Sequence, residues 1–423
     1  MAPAALETER LLMMATIASS LSPSAFRAAR ATRFPLRRCI QTATSGPSFC
    51  FDIDGVLKQG QHVLPQAKAV MEILSGHNPL NKKYPFICVT NGGGSLESDR
   101  CKRLTKELGV DIIPGAQIGE HQIVQSHTIF RSLVPRYADK PVLVVGGVKD
   151  SCRRVAEAYG FKQAYIPADV LAWKPAVWPY HKLTEEEWTY VRQADFSSIS
   201  FAAILVFHDS RDWGRDLQLV LDLVRADSGV FGTVKDPKDA SQWDPEKQIP
   251  VHFSNPDLLW GNEFSVSRFG QGALQESMAA VYKKITGHEL QRETGGKPSR
   301  ATYDYAASLL ASQIEHAHHG TEINLHPSPD KVGHVPGRVY MVGDNPASDI
   351  AGANNYGWES ILVQTGVFRG SRPEEAEHVP KVVAKDVLEG VKWALRREGE
   401  GEAVSQIPDV EEGFCEHGPR GDE

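Results

Sequence analysis

No stretch of this 423-residue chain holds the roughly 20 consecutive apolar residues that a membrane-spanning helix needs, which excludes an integral helical membrane segment. Cysteine is scarce. Cys39, Cys50, Cys88, Cys101, Cys152 and Cys415 lie apart, without close pairs or zinc-ligand spacing. That excludes a disulfide-stapled secreted scaffold and predicts reduced thiols. Basic charge is not in excess, since 46 Lys and Arg stand against 53 Asp and Glu for a net charge of −7. General affinity for nucleic acid, which needs a basic surface, is therefore not expected. Nor is the composition extreme: 41% hydrophobic and 23% charged residues are ordinary for globular domains, and the length predicts two of them.

Acidic residues are missing where they would be most informative. Residues 1–45 contain Arg10, Arg27, Arg30, Arg33, Arg37 and Arg38 among many Ala, Ser and Thr, and their only acids are Glu7 and Glu9. This is the composition of a mitochondrial transit peptide and predicts a matrix protein. Cleavage would remove six basic and two acidic side chains from the totals of 46 and 53, leaving a mature net charge of −11. So acidic a protein is a poor match for general adsorption to an anionic membrane surface.

What the chain does have is organised around Ser48–Leu57, where an apolar run ends in Asp52-Ile53-Asp54-Gly55. The run reads as a buried strand, and alternation places Asp52 and Asp54 on one side of its carboxyl end. Gly55 lets the chain turn. Two close carboxylates raise one another's pKa unless a cation or a shared proton intervenes, an arrangement suited to metal-assisted phosphoryl transfer with one nucleophile and one proton carrier.

Three more polar clusters follow at strand or helix ends. Phe86–Thr90 reads as a strand tipped by Thr90-Asn91-Gly92-Gly93-Gly94, a glycine-rich turn before a helix at 96–108, where bare N–H groups suit a phosphate. Lys297 lies in Gly295-Gly296-Lys297-Pro298 before a helix at 299–316. The strand at 338–342 ends in Gly343-Asp344, with Asp349 opening the next helix. A helix is predicted over 117–133 and another over 382–396. Val142–Gly147 and Ser151–Tyr159 read as a strand, turn and helix packed for structure rather than for a nucleotide. His316, His318, His319, His326 and His334 fit no zinc spacing and are read as a surface loop. In an open parallel sheet the strand tips converge on one pocket.

Together Asp52-Ile53-Asp54-Gly55, Thr90-Asn91, Gly296-Lys297-Pro298 and Gly343-Asp344 with Asp349 resemble the four ordered motifs of the haloacid dehalogenase superfamily. A domain inserted between the second and third resembles its class IIA hydrolases. The resemblance implies an α/β protein with a Rossmann-like doubly wound parallel sheet core and an inserted α/β cap domain. The expected boundaries are 1–45 for the leader, 46–133 and 251–396 for the core, 134–250 for the cap and 397–423 for an acidic disordered tail. It implies a Mg²⁺-dependent phosphatase acting on a small phosphorylated metabolite. Asp52 would be the nucleophile, Asp54 the acid and base, and Lys297 the charge balance. Thr90, Asn91 and Gly92 would hold the phosphoryl group. Asp52, the Asp54 backbone carbonyl and Asp344 would hold the metal, assisted by Asp349. His208, Asp209, Arg211, Asp212 and Trp213 are candidates for a substrate-contacting loop of the cap. A phosphoester of glycerolipid metabolism and a catalytically weak binding scaffold remain alternatives. The sequence leaves oligomeric state open, a homo-oligomer included.

Overall fold

The computed structural model describes residues 46–410 apart from positions 237, 238, 240–242, 244, 262, 263, 265, 329 and 330. The predicted leader and residues 411–423 of the predicted tail lie outside the described residues.

Six strands form an all-parallel sheet in the order Val382–Ala384, Glu359–Val363, Val339–Gly343, Ser48–Phe51, Phe86–Val89, Ile123–Val124. The central strand shows why helices cover both faces. Phe49 and Phe51 pack with Val70, Leu104 and Val391 on helices Pro65–Leu74, Glu97–Glu107 and Val387–Arg397. Cys50 points the other way and packs with Tyr303, Ala306 and Leu310 on helix Arg300–His319. Both faces of the strand are buried, so the sequence is apolar without alternation. The chain winds outward from Ser48–Phe51 in one direction, then returns beside it at Val339–Gly343 and winds the other way. The crevice between these two strands is the topological switch point, where open α/β sheets bind ligands.

A second all-parallel sheet has the order Glu293–Thr294, Val251–Phe253, Ala203–Val206, Pro141–Val145, Gln163–Tyr165. It interrupts the first sheet between Ile123–Val124 and Val339–Gly343. The expected boundary at 250 is too early: Val251–Phe253 pairs with Ala203–Val206 and with Glu293–Thr294, not with the core sheet. Its buried triplet reads as a strand in either sheet, because burial on both faces carries no label of the neighbour.

Four further expectations are corrected. Residues 117–133 form an edge strand at Ile123–Val124 and a 3₁₀ segment at Ser126–Leu133 instead of one helix. Residues 382–396 divide into strand Val382–Ala384 and helix Val387–Arg397, because Asp386 caps the helix by accepting from Glu389 N–H at 2.9 Å. The tail is ordered as far as 410: Val404 is buried, and Lys392 Nζ donates to Ile407 O at 2.8 Å and Pro408 O at 3.0 Å. His316, His318 and His319 lie in the last turn of helix Arg300–His319, with only His326 and His334 in the loop beyond. Cys50, Cys88, Cys101 and Cys152 are free and buried, as expected of reduced thiols. Among the described residues no helix is long and apolar enough to cross a membrane.

Candidate active site

All eight residues singled out in the sequence line one cavity of about 510 Å³ at the switch point: Asp52, Asp54, Thr90, Asn91, Gly92, Lys297, Asp344 and Asp349. Asp52 ends the first strand and is 7% exposed; Asp344 and Asp349 are 3% and 1% exposed. Glycines permit this crowding. Gly55 has φ +95°, and a β-carbon there would lie 2.3 Å from Asp344 Oδ2. At Gly366 it would lie 1.8 Å from the same oxygen, which also accepts from Val367 N–H at 2.7 Å. The 365–367 turn after strand Glu359–Val363 is thus a further strand tip that fixes Asp344. The sequence carries no signal for this tip, because Thr-Gly-Val has no chemistry by itself.

Lys297 is 1% exposed and lies between two carboxylates, with Nζ 2.5 Å from Asp52 Oδ1 and 2.7 Å from Asp349 Oδ1. Burial disfavours the ammonium, but Asp349 and Asp52 outweigh it and hold its pKa well above the ordinary value. One cation does not balance the cluster. Burial raises Asp52 well above the usual carboxylate range, Lys297 only partly opposing it, and burial with the adjacent Asp349 pushes Asp344 up to about 7.

One oxygen from each of Asp52, Asp344 and Asp349 falls within 4.8 Å of the others. Asp349 Oδ2 accepts from the N–H groups of Asp344 at 3.1 Å and Asn345 at 3.0 Å, whereas Oδ1 has no aligned hydrogen-bond donor, only the Lys297 ammonium at ion-pair distance. A buried, charge-deficient set of hard oxygen donors fits a divalent cation. The Asp54 side chain is not part of this three-carboxylate group, although it faces the same cavity.

The glycine-rich turn is tightly packed. A β-carbon at Gly93 would lie 2.6 Å from His127 Cδ2, and one at Gly94, where φ is +87°, 2.6 Å from His208 Cδ2. The bare loop is what lets the second sheet approach the first. His127 is fully buried, and burial lowers its pKa to about 4, so it is neutral. Its Nδ1 meets Tyr159 Oη at 2.9 Å, and that hydroxyl donates to Glu97, which also accepts from Thr128 Oγ1 at 2.8 Å. Helix Glu97–Glu107 of the core is tied in this way to helix Ser151–Tyr159 of the insertion. Gly94→Ala is expected to cost about 1–3 kcal/mol of stability from left-handed strain and the His208 clash. Gly320→Ala, at φ +67° with nothing within 4 Å, should cost less, and denaturant titration of both variants checks the difference.

The Asn91 side chain is committed within the protein. Its Oδ1 accepts from Lys297 N–H at 2.7 Å, and its Nδ2 donates to Lys297 O at 3.0 Å and Asp257 Oδ2 at 3.0 Å. With its side-chain donors and acceptor committed, Asn91 is a clamp that places Lys297, and no side-chain amide hydrogen remains for a phosphate. Gly92 N–H is taken by Thr90 Oγ1 at 2.9 Å, which leaves the Thr90 hydroxyl hydrogen free to donate into the cavity. Asn255 and Asp257 also line the cavity, though the sequence reading did not select them. Asn255 Nδ2 donates to Asn91 O at 3.0 Å, and burial pushes Asp257 up to about 7 despite the Asn91 hydrogen bond. Their Asn-Pro-Asp sequence is the signal that could have found them. Of the candidate cap loop, His208, Asp209 and Arg211 line the cavity; Asp212 and Trp213 do not, Asp212 capping helix Trp213–Arg225 instead.

Comparison with known proteins agrees with this geometry. A family model described as haloacid dehalogenase-like hydrolase matches residues 49–162, and one described as HAD-hydrolase-like matches 294–390. The chain is 36% identical over 369 residues to a mitochondrial hydrolase of Saccharomyces cerevisiae, covering 85% of this chain and 99% of that protein. It is 38% identical over 382 residues to a Schizosaccharomyces pombe protein in which cardiolipin synthase (CMP-forming) is fused to a mitochondrial hydrolase, covering 90% of this chain and 57% of the fusion. Among solved structures, a p-nitrophenyl phosphatase from Archaeoglobus fulgidus aligns with a TM-score of 0.49 at 16% identity, over 82% of this chain and 98% of that one. On its identity to the yeast hydrolase over 85% of this chain and 99% of that protein, the protein belongs to the haloacid dehalogenase superfamily of hydrolases.

Proposed function

We propose that the protein is a mitochondrial, Mg²⁺-dependent phosphatase that hydrolyses a phosphoric monoester through an aspartyl-phosphate on Asp52. The observation that carries this reading is the convergence of Asp52, Asp54, Asp344, Asp349 and Lys297 on one cavity at the switch point. An Asp52 oxygen attacks phosphorus while the bond from phosphorus to the leaving oxygen breaks, and Asp54 gives that oxygen its proton. Asp54 then takes a proton from water, whose oxygen attacks the acyl phosphate, freeing inorganic phosphate and restoring the Asp52 carboxylate. Thr90 Oγ1 donates to a phosphoryl oxygen, and Lys297 offsets charge on Asp52 and Asp349. Asp52, Asp344 and Asp349, with the Asp54 carbonyl, would hold the cation, which would supply charge stabilisation to the transferring group. Mitochondrial residence is supported by the two relatives named as mitochondrial hydrolases and by the arginine-rich leader.

The fused relative favours a second reading of the substrate, a phosphoester of glycerophospholipid metabolism, since its partner domain makes cardiolipin. A scaffold that only binds metal would have no use for Asp54 beside Asp52.

The test is phosphate release by the full-length chain over a panel of phosphomonoesters, with Mg²⁺, with chelator, and with Asp54→Asn. Release should need the cation, and Asp54→Asn should lower it by at least about a hundredfold while leaving cation binding in place. Turnover that survives both chelation and Asp54→Asn would refute the mechanism.

A further inference from the structure

The cavity changes sign from floor to rim. Its buried floor is the carboxylate cluster with Lys297, but its outer wall carries Arg100 and Arg103 from helix Glu97–Glu107 and Arg211 from the loop after strand Ala203–Val206. Two of these, Arg103 and Arg211, are exposed. Positive charge here is under-balanced. Arg100 shares Glu107 with Lys58, at 3.7 Å and 2.8 Å respectively. Arg103 donates only to Ser95 Oγ, at 3.3 Å. Arg211 makes no hydrogen bond or ion pair among the described residues, and the nearby Asp209 faces His208 at 3.5 Å. Leu259 and Trp260, each 40% exposed, line the same cavity.

Charged residues on a helix or loop are ordinarily just solvated. Here three guanidinium groups reach one cavity from two separate sheets, which solvation alone does not require. We propose that Arg100, Arg103 and Arg211 bind a second anionic group of the substrate, which is therefore a phosphomonoester carrying a carboxylate or another phosphate at its far end. Its uncharged middle rests against Leu259 and Trp260. The planar fork of arginine matches either anion bidentately. Arg100 and Arg103 come from a core helix and Arg211 from a loop of the insertion, so the subsite is complete only with the insertion in place over the core. The proposal rests on the phosphatase reading for its substrate class.

The experiment has a binding arm and a turnover arm, both on the full chain with Mg²⁺. In the first, Asp52→Asn is titrated calorimetrically with p-nitrophenyl phosphate and with short phosphomonoesters bearing a terminal carboxylate or second phosphate, alone and combined with Arg211→Ala. In the second, phosphate release by the wild type, Arg103→Ala, Arg211→Ala and Arg211→Lys is measured on the same compounds, and on a two-phosphate headgroup carried by a diacyl lipid in neutral vesicles. The two-anion esters should bind at least about tenfold more tightly than p-nitrophenyl phosphate. Each alanine variant should lower the ratio of kcat/KM between the two kinds of ester by a similar factor, through KM, with part of it restored in Arg211→Lys. Preference for the soluble or the vesicle-borne ester names the source without altering the subsite. Equal affinity for both kinds of ester, or an alanine effect that is the same on both, would overturn the proposal. An arginine-dependent preference in the titration, with no release from any ester by the wild type, would instead leave the subsite standing and remove the phosphatase reading.

Discussion

Asp52→Asn is expected to lower phosphate release by more than about a thousandfold, the scale of loss when a covalent nucleophile is removed. An amide oxygen in place of the carboxylate cannot form the acyl phosphate, and no neighbouring group replaces it: Asp349 is already bonded to the Asp344 and Asn345 N–H groups, and Asp344 to Val367 N–H. The informative companion is stability. Asp52 is a buried acid pushed up in pKa by burial and by Asp349, Asp344 and Asp54, with only Lys297 opposing them. Removing its charge relieves that repulsion, and the amide oxygen can still accept from Lys297 Nζ, which retains Asp349 at 2.7 Å. Metal-free Asp52→Asn should therefore melt no lower than the wild type. Activity lost without stability lost separates a nucleophile from a structural carboxylate. Residual turnover within tenfold of the wild type would mean that Asp52 only helps to hold the cation.

How far this site could be read without a structure depends on what each residue type reveals by itself. Acids that break an apolar run, as at Asp52-Ile53-Asp54-Gly55 and Gly343-Asp344, are conspicuous because a buried strand has no other reason to end that way. The core strands before them were legible for the same reason. Asn91 was found, but not that its side chain clamps Lys297, because an amide can donate or accept and the sequence does not say where it points. Arg100 and Arg103 were passed over, since on a helix of low apolar content they read as a solvated face. The division between the sheets was misjudged at Val251–Phe253, where a strand buried on both faces fits either sheet. The split at Asp386 was legible in principle, for Asp386 followed three residues later by Glu389 is a helix-start pattern. It was masked by the continuous apolar periodicity on both sides.

Lys297→Met should cost about 3–5 kcal/mol of stability in metal-free buffer, the penalty for leaving buried charges without their partner. Methionine fills nearly the same space, so the loss measures charge. Lys297 Nζ is the buried cation between Asp52 and Asp349, and without it the cluster has no positive group at its centre. Two conditions should restore the variant. A divalent cation bound by Asp52, Asp344 and Asp349 would substitute for the ammonium, so Mg²⁺ should raise the melting temperature of Lys297→Met more than that of the wild type. Acid should do the same. Asp344 in the folded protein has its pKa pushed up to about 7, above its unfolded value, so folding favours the protonated carboxyl. Its contribution to stability is full below the unfolded pKa and is lost as pH rises through about 7. Loss of Lys297 removes a group that opposes this shift, so the deficit of the variant should grow with pH over that window and shrink on acidification. Denaturant titrations of both proteins from pH 5 to pH 8, with and without Mg²⁺, test the argument. A deficit that is independent of both pH and cation would show that Lys297 supports the site by packing and through the Asn91 clamp rather than by its charge.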